Sequence, residues 1–271
     1  MNASSDPPSH LATNGLTTTG TSTLQTTGAN DITLALTTGQ IISAAAGDAV
    51  VLASGRDFIN NFGATAISLT HAGSKRFLVY STDPTHPGQR IHDLSYQFKQ
   101  YNAPYGTTPA ETGDNSGFLY TRAPALTPTL TGVNKVYDGT TTANLLPINF
   151  TATGMIDSDT VSSWSVSPLP ATGTYANKNV ATGISIFDAS PGTATVTNIV
   201  NVPGTTVRVY GYGRNPDDMK GDIGKLAVTL SASAAGKTYN GLTDIVGTAP
   251  AVSANVALTA GAVPTMSVRP L

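Results

Sequence analysis

Apolar residues recur in the first third of the chain at a spacing that few folds can use. Leu16, Leu24, Ile32, Ile41, Val50, Ile59 and Ile67 follow one another about every eight or nine residues, and Gly20, Gly28, Gly39, Gly47, Gly55 and Gly63 fall between them. So short an interval between breakers leaves no room for an ordinary helix. It suits a strand of about five residues and a turn. Ile32–Leu36, Ala49–Ala53 and Ala66–Leu69 read as such strands. Stacked in coils, these units would point apolar side chains inward and bond each strand to the coils above and below, as in a parallel β-helix. An antiparallel meander would share the spacing. The β-helix is the expectation for this part of the chain.

Composition agrees with β structure and removes several functions. The 271 residues include 27 Gly and 17 Pro, and only 11% are charged, against about a quarter in average domains. Fourteen basic and 16 acidic residues give a net charge of −2, with no basic face for nucleic acid. There is no cysteine, which excludes disulfides and thiolate metal sites. Met1–Leu11 is polar, with neither the basic start nor the apolar stretch of a signal peptide. No apolar run approaches the roughly 18–20 residues of a membrane span, so no transmembrane segment is expected.

A second feature lies further on. Val133–Ala143 reads Val-Asn-Lys-Val-Tyr-Asp-Gly-Thr-Thr-Thr-Ala. On a strand, Val133, Lys135 and Tyr137 share one side and Asn134 and Val136 the other. Asp138-Gly139 is a tight-turn signal, and the β-branched Thr140–Thr142 restart extended structure. The pattern returns as Lys237-Thr238-Tyr239-Asn240-Gly241-Leu242-Thr243, with Lys237 lying 102 residues beyond Lys135. An alternating run precedes each copy, Leu126–Thr131 and Leu226–Leu230. A repeat at this period predicts tandem domains of immunoglobulin-sandwich size.

Lys135-Val136-Tyr137-Asp138-Gly139-Thr140-Thr141 resembles the signature of the YDG repeat domain. That domain occurs in large bacterial secreted and surface proteins of the filamentous-haemagglutinin type, exported by two-partner secretion. Gly173–Gly183 resembles a second segment of the same domain, and Ile223–Thr229 its inter-repeat junction. Gly55–Asn61 resembles the last coils of filamentous-haemagglutinin shafts, and Phe77–Tyr105 the end-piece beside such repeats. The resemblance implies an all-β chain: the C-terminal end of a parallel β-helix, an immunoglobulin-like β-sandwich YDG repeat, and a truncated second repeat. It implies a non-enzymatic stalk fragment of an adhesin, secreted or on the cell surface, whose full-length parent uses an outer-membrane secretion partner. A host surface or glycan would be the ligand. The motif residues Lys135, Val136, Tyr137, Asp138, Gly139 and Thr140, with Lys237, Tyr239, Asn240 and Gly241, would be structural.

The resulting division is 1–15 disordered, 16–122 β-helix end and cap, 126–226 the YDG repeat, and 227–271 an incomplete second repeat. Ala123-Pro124-Ala125 reads as a linker. Strands are expected at Thr127–Thr131, Asn134–Tyr137, Ile148–Thr153, Val161–Ser167, Ile184–Phe187, Ala194–Val200 and Thr206–Tyr212. Trp164, the sole tryptophan, is expected to anchor the sandwich core, and Tyr137 to pack its ring there while Asp138 accepts turn hydrogen bonds. Tyr96, Phe98, Tyr101, Tyr105, Phe118 and Tyr120 form an aromatic cluster, of which Phe98 and Tyr101 are expected to cover the open end of the coils. Alternatively, Tyr96, Tyr101 and Tyr105 would offer a stacking platform to a sugar.

Chemistry has few footholds. His71, His86 and His92, with Asp83 and Asp93, lie in loops at spacings that form no compact metal hook. Asp157 and Asp159 offer calcium two side chains where it needs six to eight oxygens, so an Asx turn is the simpler reading. Gly-x-Ser-x-Gly is absent. A polysaccharide-cleaving enzyme would need a carboxylate pair, and the coils hold only Asp31, Asp48, Arg56 and Asp57, with Asp83 and Asp93 in loops. A Lys–Asn isopeptide bond would draw on Lys135 or Lys178, with Asp138 among the motif positions and Asn177 and Asn179 beside Lys178. No catalytic residue, metal or cofactor is expected.

Overall fold

The structure, a computed structural model, describes residues 10–167, 171–199, 206–228, 230–231 and 251–252. Among them there is no α-helix, and no helix long and apolar enough to cross a membrane. The first nine strands are β1 (His10–Thr13), β2 (Leu16–Thr18), β3 (Ser22–Gln25), β4 (Asp31–Leu34), β5 (Ile41–Ser43), β6 (Gly47–Ala53), β7 (Phe58–Asn60), β8 (Ile67–Leu69) and β9 (Lys75–Ser81). They build three ladders visited in rotation: β1-β4-β7, β2-β5-β8 and β3-β6-β9, every pair parallel. Ile41 pairs with Ile67, 26 residues on. The interval of eight or nine residues in the sequence is thus one third of a circuit. Parallel pairing over this stretch excludes the antiparallel meander. Strand β1 also corrects the expectation of disorder over 1–15 for residues 10–13, which pair with β4; residues 1–9 lie outside the described ones.

Stacking puts like side chains on like. Ile32 sits in register with Phe58, Ile41 with Ile67, Val50 with Phe77 and Leu52 with Val79, all buried. Asn60 and Asp31 inside this stack find partners, as burial requires, while Thr13 Oγ1, Asp57 Oδ1 and Ser81 Oγ have none. Buried Asn60 donates Nδ2 to the carbonyls of Gly63 and Ile91, both at 2.9 Å, and accepts the N–H groups of Phe62 and Gly63 at 2.9 and 3.0 Å. Buried Asp31 takes a two-pronged contact from Arg56, Nε at 2.8 Å and Nη2 at 2.6 Å. The segment Gly55–Asn61 is therefore a set of braces between circuits.

After β9 the third ladder goes on, out of chain order. Strands β10 (Phe98–Gln100) and β11 (Gly117–Tyr120) join it as β9-β11-β10, still parallel. Gly117 lets the ring of its neighbour across the ladder lie flat: a Cβ there would meet Phe98 at 2.2 Å. The chain then supplies β12 (Ala125–Leu130), β13 (Asn134–Val136), β14 (Thr142–Leu145), a short 3-10 turn at Pro147–Asn149, β15 (Phe150–Thr153), β16 (Thr160–Trp164), β17 (Ala171–Tyr175), β18 (Ala181–Phe187), β19 (Ala194–Ile199), β20 (Thr206–Tyr210), β21 (Gly213–Arg214) and β22 (Lys220–Gly224). Strand β20 pairs parallel with β10, and only beyond it does pairing turn antiparallel, through β19 to β16. One eight-stranded sheet results, ordered β16-β19-β20-β10-β11-β9-β6-β3.

Contacts divide the chain differently from the sequence reading. The first compact unit is Met1–Thr131, Leu146–Ala171 and Ser190–Met219; the second is Gly132–Leu145, Thr172–Ala189 and the chain from Lys220. The expected boundary near 122–126 is replaced by an interleaving, because β20 carries its partners into the ladder of the coils. The first unit also holds the small sheet β15-β12-β21. The second unit contains one five-stranded sheet, β13-β22-β18-β17-β14. Residues 230–231 and 251–252 pair antiparallel as two short strands. The second motif copy, Lys237, Tyr239, Asn240 and Gly241, lies outside the described residues.

The aromatic cluster expected to supply the cap is core of the first unit. Tyr96, Tyr101, Phe118 and Tyr120 are buried together with coil residues such as Ile32, Val50 and Phe58. Phe118 meets Tyr96 edge-on with centroids 4.9 Å apart and Phe58 at 5.8 Å. Phe98 packs in a separate cluster with Val51, Leu78 and Leu119. Trp164 packs against the main core but is only half-buried.

Candidate functional site

The organising motif folds as a clamped turn. Gly139 adopts φ +77°, in the left-handed region that Asp-Gly turns need. Asp138 Oδ1 accepts the Thr140 N–H and hydroxyl, each at 2.9 Å. Lys135 crosses the turn from the strand before it. Its Nζ lies 2.7 Å from Asp138 Oδ1 and donates to Thr140 O at 3.1 Å, Thr140 Oγ1 at 2.9 Å and Thr142 O at 3.1 Å. The lysine, and then Thr140, pull the Asp138 carboxyl down to about 2. The ammonium also sits 5.8 Å from the centroid of the Tyr175 ring.

Tyr137 does not enter the core. It is half-buried, its N–H donates to Gly224 O at 2.9 Å, and its ring lines a shallow apolar depression with Val180, Leu226 and Val228. The core tyrosine of the second unit is Tyr175, 1% exposed, from the segment Gly173–Gly183. Its hydroxyl donates to the carbonyls of Val133 and Asp222, 3.3 Å from each. Lys135 spends its donors on the turn, not on Asn177 or Asn179; Asn177 Oδ1 accepts the Asn179 N–H at 2.9 Å to close a turn of its own.

The other sequence candidates are scattered. His86 Nδ1 lies 2.7 Å from Asp57 Oδ2, His71 Nδ1 3.2 Å from Ala44 O, and Asp83 pairs with Arg122 at 2.6 Å. His92 and Asp93 form a left-handed bend. Among the described residues no three His, Cys, Asp or Glu side chains converge as metal ligands. The three tyrosines offered as a sugar platform are separated by burial: Tyr96 and Tyr101 are core, while Tyr105 is exposed and leans edge-on against Tyr80 at 5.1 Å.

One polar cluster of the first unit escaped the sequence reading. Lys99, in the middle of β10, is fully buried (0% exposed). Its Nζ lies 2.6 Å from Asp159 Oδ1, 2.7 Å from Asp157 Oδ2 and 3.3 Å from the Tyr101 hydroxyl. Tyr101 and Tyr212 donate their hydroxyls to Asp159 Oδ2 at 2.7 and 2.9 Å. Asn198 Nδ2 donates to Asp159 Oδ1 at 2.7 Å and to Asp157 O at 2.6 Å. The acids reach the lysine because Asp157 and Ser158 take left-handed φ of 51° and 60° in a tight loop before β16. Burial pushes the Asp157 carboxyl up, with Lys99 opposing. Burial and then Asp159 push the Tyr101 hydroxyl up, so it stays a donor. The sequence signal was faint: one lysine between Phe98 and Gln100, among aromatics, in a chain that uses few charges.

The matched family spans much of this geometry. A YDG domain is found at residues 121–209. It includes Lys135–Thr141 and Gly173–Gly183, and it ends before the junction-like Ile223–Thr229 and the second motif copy. Strands β13, β14, β17 and β18 of the YDG domain belong to the second unit; β12, β15, β16, β19 and β20 belong to the first. No curated protein and no solved structure matches the chain.

Proposed function

We propose that this chain is a non-enzymatic structural part of a bacterial secreted or surface-exposed adhesin of the filamentous-haemagglutinin type. In this reading residues 16–81 are the end of a parallel β-helix, and the YDG domain begins an immunoglobulin-like stalk. One observation carries the reading most: β20 of the YDG domain continues the parallel ladder of the coils, through β10 and β11 to β9. Tension along such a chain would be borne by backbone ladders and needs no reactive side chain. The motif supports this, since Lys135, Asp138 and Thr140 satisfy one another. Antibodies against the chain should label intact cells of the source, or find the protein in the medium; confinement to the cytosol would sink the proposal.

A glycan- or matrix-binding role is the second reading, and a cavity of about 330 Å³ in the first unit favours it. Leu126, Pro128, Trp164, Tyr212 and Arg214 line it. Trp164 and Tyr212 give the cavity an aromatic wall, the kind of lining on which a sugar face can stack. Saturable binding on a glycan panel, lost in Trp164→Ala, would favour this role over a purely structural one.

A further inference from the structure

We propose that Lys99 and Asp159 condense into an intramolecular isopeptide bond that ties β10 to the loop before β16. The amine and the carboxyl group touch, Nζ to Oδ1 at 2.6 Å, both side chains 0% exposed. Three neutral donors already grip the same carboxyl group: Tyr101 and Tyr212 on Oδ2, and Asn198 on Oδ1. Donors fixed on an acyl oxygen polarise it and hold the negative charge that develops there on attack. A second acid, Asp157, stands 2.7 Å from the amine, as a proton carrier must.

The step balances with no outside reagent. Nζ gives one proton to Asp157, which passes it to Asp159 Oδ1. The freed lone pair attacks Asp159 Cγ, and charge gathers on Oδ2 under the two tyrosine hydroxyls. A second proton leaves the nitrogen through Asp157 to Oδ1. The C–O bond then breaks, an amide C–N bond remains, and one water departs. Nothing is oxidised or reduced. Holding the groups in contact replaces a bimolecular encounter and supplies much of the barrier. The product replaces a lysine charge and a carboxylate charge by a neutral amide.

The test is the intact mass of the full chain in denaturant, followed by peptide mapping. The wild type should be one water lighter than its sequence, with a branched peptide joining Lys99 to Asp159. Mapping matters because a succinimide at Asp138-Gly139 would lose the same water. Lys99→Arg should restore the full mass, and Asp159→Asn should lose ammonia instead of water. Asp157→Ala should leave the bond largely unformed while circular dichroism shows the strands intact. An unmodified wild-type mass overturns the proposal. So does a map that puts the lost water at Asp138-Gly139, or the branch at Asp157 or Asn198.

Discussion

Two tyrosines separate what the motif shows from what it does. Tyr137 gives the signature its tyrosine, yet Tyr175 is the ring that the second unit buries. Tyr175→Ala should cost about 3–5 kcal/mol, as aromatic truncation in a core does. Tyr137→Ala should cost about 1–2 kcal/mol, since only part of its apolar area leaves water. Urea unfolding of the full chain measures both, and the reverse order would show that Tyr137 is the anchor after all. Strand periodicity put Tyr137 on the side of Val133 and Lys135, but a period of two cannot say which side is covered. Asp138 carries a pH signature. Its folded pKa is depressed, so its contribution is present above the ordinary carboxylate pKa and fades as pH falls toward about 2. Wild type and Asp138→Asn should differ most at neutral pH and converge near pH 2, by thermal melts across that range; the exposed position keeps the difference small. Lys99 was illegible because a lone lysine reads as a surface residue until the fold brings two acids, 58 and 60 positions away, to it.

At the scale of elements, the strands were legible wherever an apolar alternation stood between glycines. Ile32, Ile41, Val50 and Ile67 all fall on strands of the three ladders. Strands β14, β17 and β22 were not picked out, because Thr, Gly and Ala dominate the first two and β22 has one apolar residue, Ile223. Two glycines discriminate the turn from the ladder. Gly139 has open space around a new side chain, so Gly139→Val meets only the left-handed backbone, about 1–2 kcal/mol. Gly117→Val must displace the Phe98 ring between β10 and β11 and should destabilise more. Melting temperatures of the two variants give the ranking. A milder Gly117→Val would mean that Phe98 does not lie over β11.

Across the whole molecule, the sequence showed two regions but not that they interleave. Its repeat and its linker-like Ala123-Pro124-Ala125 suggested a cut, while the pairing of β20 with β10 joins residues 110 apart, such as Gln100 and Tyr210. No local pattern announces a parallel partner at that range. A fragment spanning 121–228 therefore lacks β10, the parallel partner of β20, and it should fail to unfold cooperatively where the full chain does. The most direct measurement exploits the absence of cysteine. In the full chain, Gln100→Cys with Tyr210→Cys places two thiols on register partners, and Gln100→Cys with Arg208→Cys places them where antiparallel pairing would. Mild oxidation followed by non-reduced peptide mapping should find the disulfide in the first variant and not in the second. A bond in the second alone, or in neither, would contradict a parallel ladder running from the coils into the YDG domain.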